Sequence, residues 1–262
     1  TAGRNAQAAG PRDSEEVSVM KARIKFRKYG ALRFIGHLDV MRFFQKVMRR
    51  ADIPIAFTGG FSPHMIMSFA SPLGIGLSSD GEYFDIELTE QIDSREAVRR
   101  MNQACVEGIE VLSFKQIQEE KKMTGMTILA AADYLVTPKT DALPDNWGEQ
   151  FAEFMEQPEI HVIKQTKRSE KEVDIRPLIY KWEIRDGSIY MQNAAGSSEN
   201  LKPDLVMEAF CRFLGIEEDS CMFHYHRLEM YADTGKGGKR RLVTLEALGK
   251  DWETADEKKD SD

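Results

Sequence analysis

Arg42, Lys46, Arg49 and Arg50 stand at i, i+4, i+7 and i+8. On a helix these positions share one face. A row of cations with no acid among them suits contact with the phosphates of a nucleic acid. The plainer reading is the solvated side of an amphipathic helix. His37 and His64 lie in the same stretch. Histidine takes and gives protons near neutral pH. A metal-independent RNA-cleaving site would need one histidine near the 2′-hydroxyl and a cation near the phosphate. For His37, at a helix start, capping or packing is the plainer role. Between them runs Gly59-Gly60-Phe61-Ser62-Pro63-His64, a loop by composition. Phe61 would stack on a base or plug the core, and His64 would contact a base or a partner.

Two further basic clusters follow. Lys164, Lys167, Arg168 and Lys171 lead into Val173-Asp174-Ile175-Arg176-Pro177, where Asp174 and Arg176 are placed to pair across a strand. Lys239, Arg240 and Arg241 end a glycine-rich loop from Lys236. Such clusters repel themselves unless an anion is present. The run Pro72-Leu73-Gly74-Ile75-Gly76-Leu77-Ser78-Ser79 offers backbone N–H groups to an anion, or simply turns between strands. It lacks the Gly-Lys-Ser/Thr of a nucleoside-triphosphate loop. His224 and His226 share one strand face, but no third ligand stands at useful spacing, so no metal site is expected.

These residues sit in an uneven field of charge. Residues 20–79 hold ten Lys or Arg and two acids, a local +8 in a chain of net charge −7. Such a block points to a surface that meets a polyanion or an acidic partner. The three cysteines, Cys105, Cys211 and Cys221, are odd in number and far apart. They give no disulfide framework and suit a reducing, cytoplasmic setting. No long apolar run predicts a membrane span.

The elements that position these groups follow from periodicity. Ala22–Tyr29 alternates as a half-buried strand with its cations outward, and Leu32–Ile35 extends or returns it. His37–Ala51 is a helix whose apolar face holds Val40, Phe44, Val47 and Met48. Ile53–Phe57, Met65–Ala70, Tyr83–Leu88 and Ile109–Ile117 read as strands, and Asp93–Val106 as a capped helix. Over residues 20–118 the order is β-α-β-β-α-β, the split βαβ or ferredoxin-like pattern. Residues 125–247 repeat it. Strand Thr127–Val136, helix Asn146–Met155 and strand Ile160–Gln165 lead to a hairpin turning on Asp186-Gly187. Helix Pro203–Leu214 and strand Met222–Tyr231 close the unit. The expected architecture is α+β, two ferredoxin-like halves with antiparallel sheets and helices on one face. Residues 1–19 read as a flexible leader or linker and 248–262 as an acidic disordered tail.

The run from Phe34 to Leu88, FIGHLDVMRFFQKVMRRADIPIAFTGGFSPHMIMSFASPLGIGLSSDGEYFDIEL, closely resembles the uncharacterised radical-SAM-linked proteins of bacteria. The similarity continues through TKRSEKEVDIRP and KPDLVMEAFCRFLG. Members are encoded beside, or fused to, a radical S-adenosylmethionine protein, so the resemblance implies such a protein as partner. The chain has no Cys-x3-Cys-x2-Cys triad. S-adenosylmethionine and an iron–sulfur cluster would then belong to the partner, with no cofactor in this chain.

The leading expectation is an accessory binding module that contacts tRNA or rRNA through a basic face beside its radical SAM partner. One alternative is an RNA-processing or RNA-modifying enzyme using His37 or His64. Another is a protein-interaction module without nucleic acid.

Overall fold

The computed structural model describes residues 20–139, 141–165, 170–217 and 222–253. In chain order the elements are β1 Met20–Lys28, α1 His37–Arg50, β2 Met67–Phe69, β3 Ser78–Leu88, α2 Ser94–Ala104, β4 Ile109–Ile117, α3 Gly125–Ile128 and β5 Leu129–Pro138. They continue with α4 Trp147–Glu156, β6 His161–Gln165, β7 Glu170–Asp174, β8 Ile179–Arg185, β9 Ser188–Ala194, α5 Pro203–Phe213, β10 Phe223–Asp233 and β11 Leu242–Thr244. The fold is mixed α+β around one mostly antiparallel sheet. Its strand order is β4-β1-β3-β10-β5-β9-β8, with β2 on β3 and β11 on β10.

Two apolar cores lie along this sheet. In the first, Val40, Phe44, Val47 and Met48 of α1 are buried, as their spacing requires. Phe44 meets Phe26 of β1 at 4.7 Å and Phe84 of β3 at 4.6 Å between ring centres. In the second, Phe151 and Phe154 of α4 meet Phe210 of α5 at 5.0 and 5.5 Å. Asp93 caps α2 by accepting the Glu96 N–H. The Asp186-Gly187 turn has both residues at positive φ, as a two-residue hairpin between twisted strands needs.

The two sheet segments join where β3 and β10 run parallel, through His226 opposite Ser78 and Arg227 opposite Ser79. Gly81 permits this approach. A Cβ there would lie 2.6 Å from the Leu228 carbonyl oxygen and 2.8 Å from the Glu229 Cα.

Several local expectations are corrected. Residues 30–34 form a 3₁₀ turn and no strand, with Gly30 at φ +58°. Ile53–Phe57 contributes only isolated bridges, Ile55 to Leu88 and Phe57 to Met65. The expected β5 start, Thr127–Ile128, belongs to the short helix α3. The β6 strand pairs with β7 in a separate two-stranded sheet. Asp174 and Arg176 do not form an ion pair. Asp174 accepts the N–H groups of Ile160 and Arg176, while the guanidinium donates to the Met155 carbonyl.

Residues 248–253 are packed on the first core and do not belong to a solvated tail. Trp252 is buried in the first core, 6.1 Å from Phe114, and its backbone exchanges hydrogen bonds with Ser94. Gln116 and Lys250 form a bridge, and Lys115 pairs with Asp251 at 2.8 Å. A large aromatic contact and strand-like pairing hold residues 248–253 to the first half. Residues 1–19 and 254–262 lie outside the described residues.

Candidate functional site

The cations of β1 and α1 have opposite surroundings. On β1, every charged side chain has found a partner. Arg23, 1% exposed, holds Asp85 through two bonds of 2.8 and 3.0 Å and donates to the carbonyls of Leu245 and Met123. Lys25 reaches Glu229 at 2.7 Å and Glu246 at 3.2 Å. Lys21 faces Glu87 at 3.7 Å, and Arg27 pairs with Glu110. The charged face of β1 is therefore not the solvated face its alternation predicts. The chain around residues 121–125 and 245–246 covers it.

On α1, Arg42 pairs with Asp39 at 3.5 Å, both largely exposed. Such a pair is worth little. Lys46, Arg49 and Arg50 are exposed and make no ion pair among the described residues. Arg49 and Arg50 occupy the last turn, where the helix dipole favours cations. Beyond them a groove of about 670 Å³ runs to α2 past Asp52, Arg100 and Cys105. On α2, Glu96 takes up Arg99 and Arg100 at 2.6 and 2.7 Å, and those bonds, Arg99 first, hold its carboxyl at about 2. Burial pushes the Cys105 thiol up to about 11, so it stays protonated.

Phe61 is fully exposed and does not plug the core. Its loop closes on itself through Thr58 and His64: the Thr58 N–H donates to the His64 carbonyl, and the His64 N–H donates to Thr58 Oγ1 at 3.1 Å. His64 Nδ1 lies 3.1 Å from the same hydroxyl. His37 instead packs edge-on against Phe69 at 5.0 Å, and burial holds its pKa below the usual value. Neither histidine contacts a carboxylate among the described residues.

The other basic clusters lie on other elements. Lys164 and Lys171 face each other across β6–β7, and Lys164 donates to the Asn200 carbonyl. Lys167 and Arg168 lie outside the described residues. Arg240 stacks 3.5 Å from the Tyr180 ring centre and 3.9 Å from Asp233, while Lys239 and Arg241 are exposed. Tyr180 belongs to β8, four strand spacings from β3, roughly 19 Å away. The Arg240 cluster is therefore separated from the sheet segment that carries α1.

At the β3–β10 junction lies a chain of polar groups absent from the sequence expectations. Ser78 Oγ is 2.9 Å from His224 Nε2 and 2.7 Å from His226 Nδ1, and His226 Nε2 is 2.9 Å from Asp80. In the neutral His226 ring, a proton on Nε2 donated to Asp80 leaves Nδ1 to accept from the Ser78 hydroxyl. Ser78 Oγ then accepts from His224 Nε2–H. Burial first, then Arg33, His226 and Lys139, holds the His224 pKa below the usual value. Among the described residues no group of three or more His, Cys, Asp or Glu is placed to hold a metal ion. No described helix is long and apolar enough to cross a membrane.

On the opposite side of the same junction, Lys28, Glu82 and Arg227 are all buried. Arg227 Nη1 donates to both Glu82 oxygens at 3.1 Å, and Lys28 donates to the carbonyls of Arg33 and Ile35. Burial pushes the Glu82 carboxyl up against the pull of Arg227, Ser79 and Lys28. Burial likewise lowers the Lys28 ammonium. The loop from Ser71 to Leu77 roofs this group and forms one wall of a cleft of about 390 Å³.

A family model described as "Uncharacterized protein conserved in bacteria (DUF2344)" matches residues 21–203. The chain belongs to this family. The DUF2344 match runs from β1 to the first residue of α5, so it includes the basic helix, the exposed Phe61 loop and the roof of the cleft. No curated protein matches the sequence. Among solved structures, a chain of "Crystal Structure of a Cbf5-Nop10-Gar1 Complex" aligns at a TM-score of 0.43 and 11% identity, over 80% of this chain and 48% of that one. The DUF2344 chain thus spans about half the length of that protein chain.

Proposed function

We propose that this chain is an accessory binding module for RNA, holding phosphates on α1 and working beside a radical SAM protein. We further propose that each half is a ferredoxin-like unit. The neighbour orders β4-β1-β3-β2 and β10-β5-β9-β8 support that reading. The observation that carries the binding function is the exposed trio Lys46, Arg49 and Arg50. These cations make no ion pair among the described residues, whereas Lys21, Arg23, Lys25 and Arg27 of β1 are each paired with an acid. Phe61, exposed on a closed loop, adds a ring on which an unpaired base would stack. S-adenosylmethionine and an iron–sulfur cluster are assigned to the partner.

A mobility-shift titration of the full chain with tRNA and rRNA fragments at low and high salt tests this. Arg49→Glu with Arg50→Glu should weaken binding at least ~10-fold and reduce the salt slope by about 2 if both contact phosphate. Absence of binding at low salt, or an unchanged affinity in the double variant, refutes the proposal. A pull-down of the radical SAM neighbour that survives nuclease and is lost in the same variant would favour a protein-docking role for α1.

A second reading, an RNA-processing enzyme, is favoured by the Ser78–His226–Asp80 chain more than by His37 or His64. It expects turnover without the partner that disappears in His226→Ala. Activity retained in that variant removes it.

A further inference from the structure

We propose that His224 is the general base of a transesterification site on the β3–β10 junction, acting on a phosphodiester with a neighbouring hydroxyl, as in single-stranded RNA. This rests on the RNA-processing reading and names the group that takes the proton and the bond that breaks.

The chain Asp80–His226–Ser78–His224 runs from one half of the molecule into the other. Ser78 and Asp80 stand two apart on β3, His224 and His226 two apart on β10, and Ser78 lies opposite His226. All four therefore share one face of the sheet. The successive contacts are 2.9, 2.7 and 2.9 Å. With both rings neutral, His226 Nε2 donates to Asp80, Ser78 donates to His226 Nδ1, and His224 Nε2 donates to Ser78. The free lone pair is then on His224 Nδ1, which makes no hydrogen bond among the described residues. His224 is only half-buried, so a substrate hydroxyl has access to the ring.

The two ends of this chain differ in charge. Lys139 donates its N–H to the Met222 carbonyl, two residues before His224, and Thr137 lies directly opposite His224. Lys139 thus falls on the His224 side of the sheet. The Arg33 carbonyl accepts the Gly76 N–H, two residues before Ser78, and its guanidinium lies 4.7 Å from the exposed Phe34 ring. Burial first, then Arg33, His226 and Lys139, disfavours the charged form of His224. At the other end stands the Asp80 carboxylate. An imidazole between two cations holds a proton poorly by itself. The chain supplies the remedy. As His224 Nδ1 takes a proton, Nε2–H passes to Ser78 and the Ser78 proton passes to His226 Nδ1. Positive charge then settles beside Asp80.

The cations that keep His224 neutral would hold the phosphate, and Phe34 offers a ring for a base. In the reaction the 2′-hydroxyl gives its proton to His224 Nδ1 while O2′ bonds to phosphorus. The P–O5′ bond breaks with its electron pair on O5′, which takes a proton from water. The chain returns its own proton to solvent. The products are a 2′,3′-cyclic phosphate and a 5′-hydroxyl.

Cleavage of the dinucleotide uridylyl-3′,5′-adenosine by the full chain, followed by chromatography, tests this. The expected result is turnover to uridine 2′,3′-cyclic phosphate and adenosine, with none for the 2′-deoxy substrate. His224→Gln keeps a donor to Ser78 but has no base, and should lower kcat at least ~100-fold with the melting temperature near wild type. Asp80→Asn keeps an acceptor for His226 and removes the charge. It should lower kcat ~10-fold and move the acid limb of the pH–rate profile to lower pH, a shift that a merely structural Asp80 would not produce. Arg49→Glu with Arg50→Glu should leave turnover of this short substrate unchanged, which separates the site from α1. Turnover lost in His226→Ala but kept in His224→Gln overturns the inference and leaves the RNA-processing reading standing. No turnover of the dinucleotide or of a single-stranded RNA oligonucleotide overturns both. Equal cleavage of the 2′-deoxy substrate also overturns the inference, since the nucleophile would not be the 2′-hydroxyl.

Discussion

Strand β1 and helix α1 carry the same kind of sequence, dense in lysine and arginine, yet they have opposite fates. Four of the five β1 cations, all but Lys28, are drawn into ion pairs with acids far along the chain, such as Asp85, Glu110 and Glu229. The α1 cations, apart from the exposed Arg42–Asp39 pair, remain in solvent. The reason is geometric. A strand inside a sheet presents both faces to neighbours, and here other segments cover its second face. A helix packed on one side keeps the other side wet. A local excess of charge therefore indicates a binding surface only after the paired cations are removed from the count.

Removing one partner of the Arg23–Asp85 pair should have the largest effect. Arg23→Ala leaves a buried carboxylate unmatched and should lower stability by about 3–5 kcal/mol in urea unfolding. Arg49→Ala, at an exposed site, should stay within about 0.5 kcal/mol. Similar values for the two would erase the contrast. Trp252→Ala comes next, at about 3 kcal/mol, because it empties a buried ring site on the first core. If residues 248–253 were a solvated tail, the melting temperature would not move.

Reversing charge at Arg49 and Arg50 should leave the melting temperature near wild type while weakening RNA binding by about 1.4 kcal/mol or more, the tenfold loss expected above. A charge reversal on β1 should instead act on folding, and Arg27→Glu, at a half-exposed position, gives a soluble control.

The smallest effect is on pH dependence. Burial holds His37 below its unfolded value, and likewise His224. The folded chain therefore binds fewer protons there than the unfolded chain. Their contribution to stability is present above the usual histidine range and lost as pH falls through it. His161, exposed and raised by Glu159, contributes the opposite slope. His37→Phe should make the melting temperature less sensitive to acid between neutral pH and pH 5. An unchanged slope would mean that His37 titrates freely.

Much of the local structure was legible in advance. The spacing of Val40, Phe44, Val47 and Met48 gave α1, Asp93 and Glu96 gave the start of α2, and Asp186-Gly187 gave the β8–β9 hairpin. These signals are contained within a few residues, where one period or one dihedral requirement decides. The 3₁₀ turn at 30–34 was missed because Leu32–Ile35 is apolar in any conformation. The junction was missed for a different reason. Ser78 and His226 stand 148 residues apart, and Glu82 and Arg227 stand 145 apart. His224 and His226 were noticed as a pair on one strand face, but nothing nearby in sequence names Ser78 and Asp80 as their partners.

The sequence by itself determined where charge is dense, which faces of the helices are apolar, and that the chain alternates strands and helices twice. Those properties follow from backbone periodicity and side-chain chemistry over short spans. Only the tertiary structure decided which cations remain free, which histidines meet a hydroxyl and a carboxylate, and where a cleft opens beside a buried arginine. Those outcomes depend on which distant strands lie side by side. Ion pairing and burial are set by spatial neighbours within a few ångströms, whatever their separation along the chain.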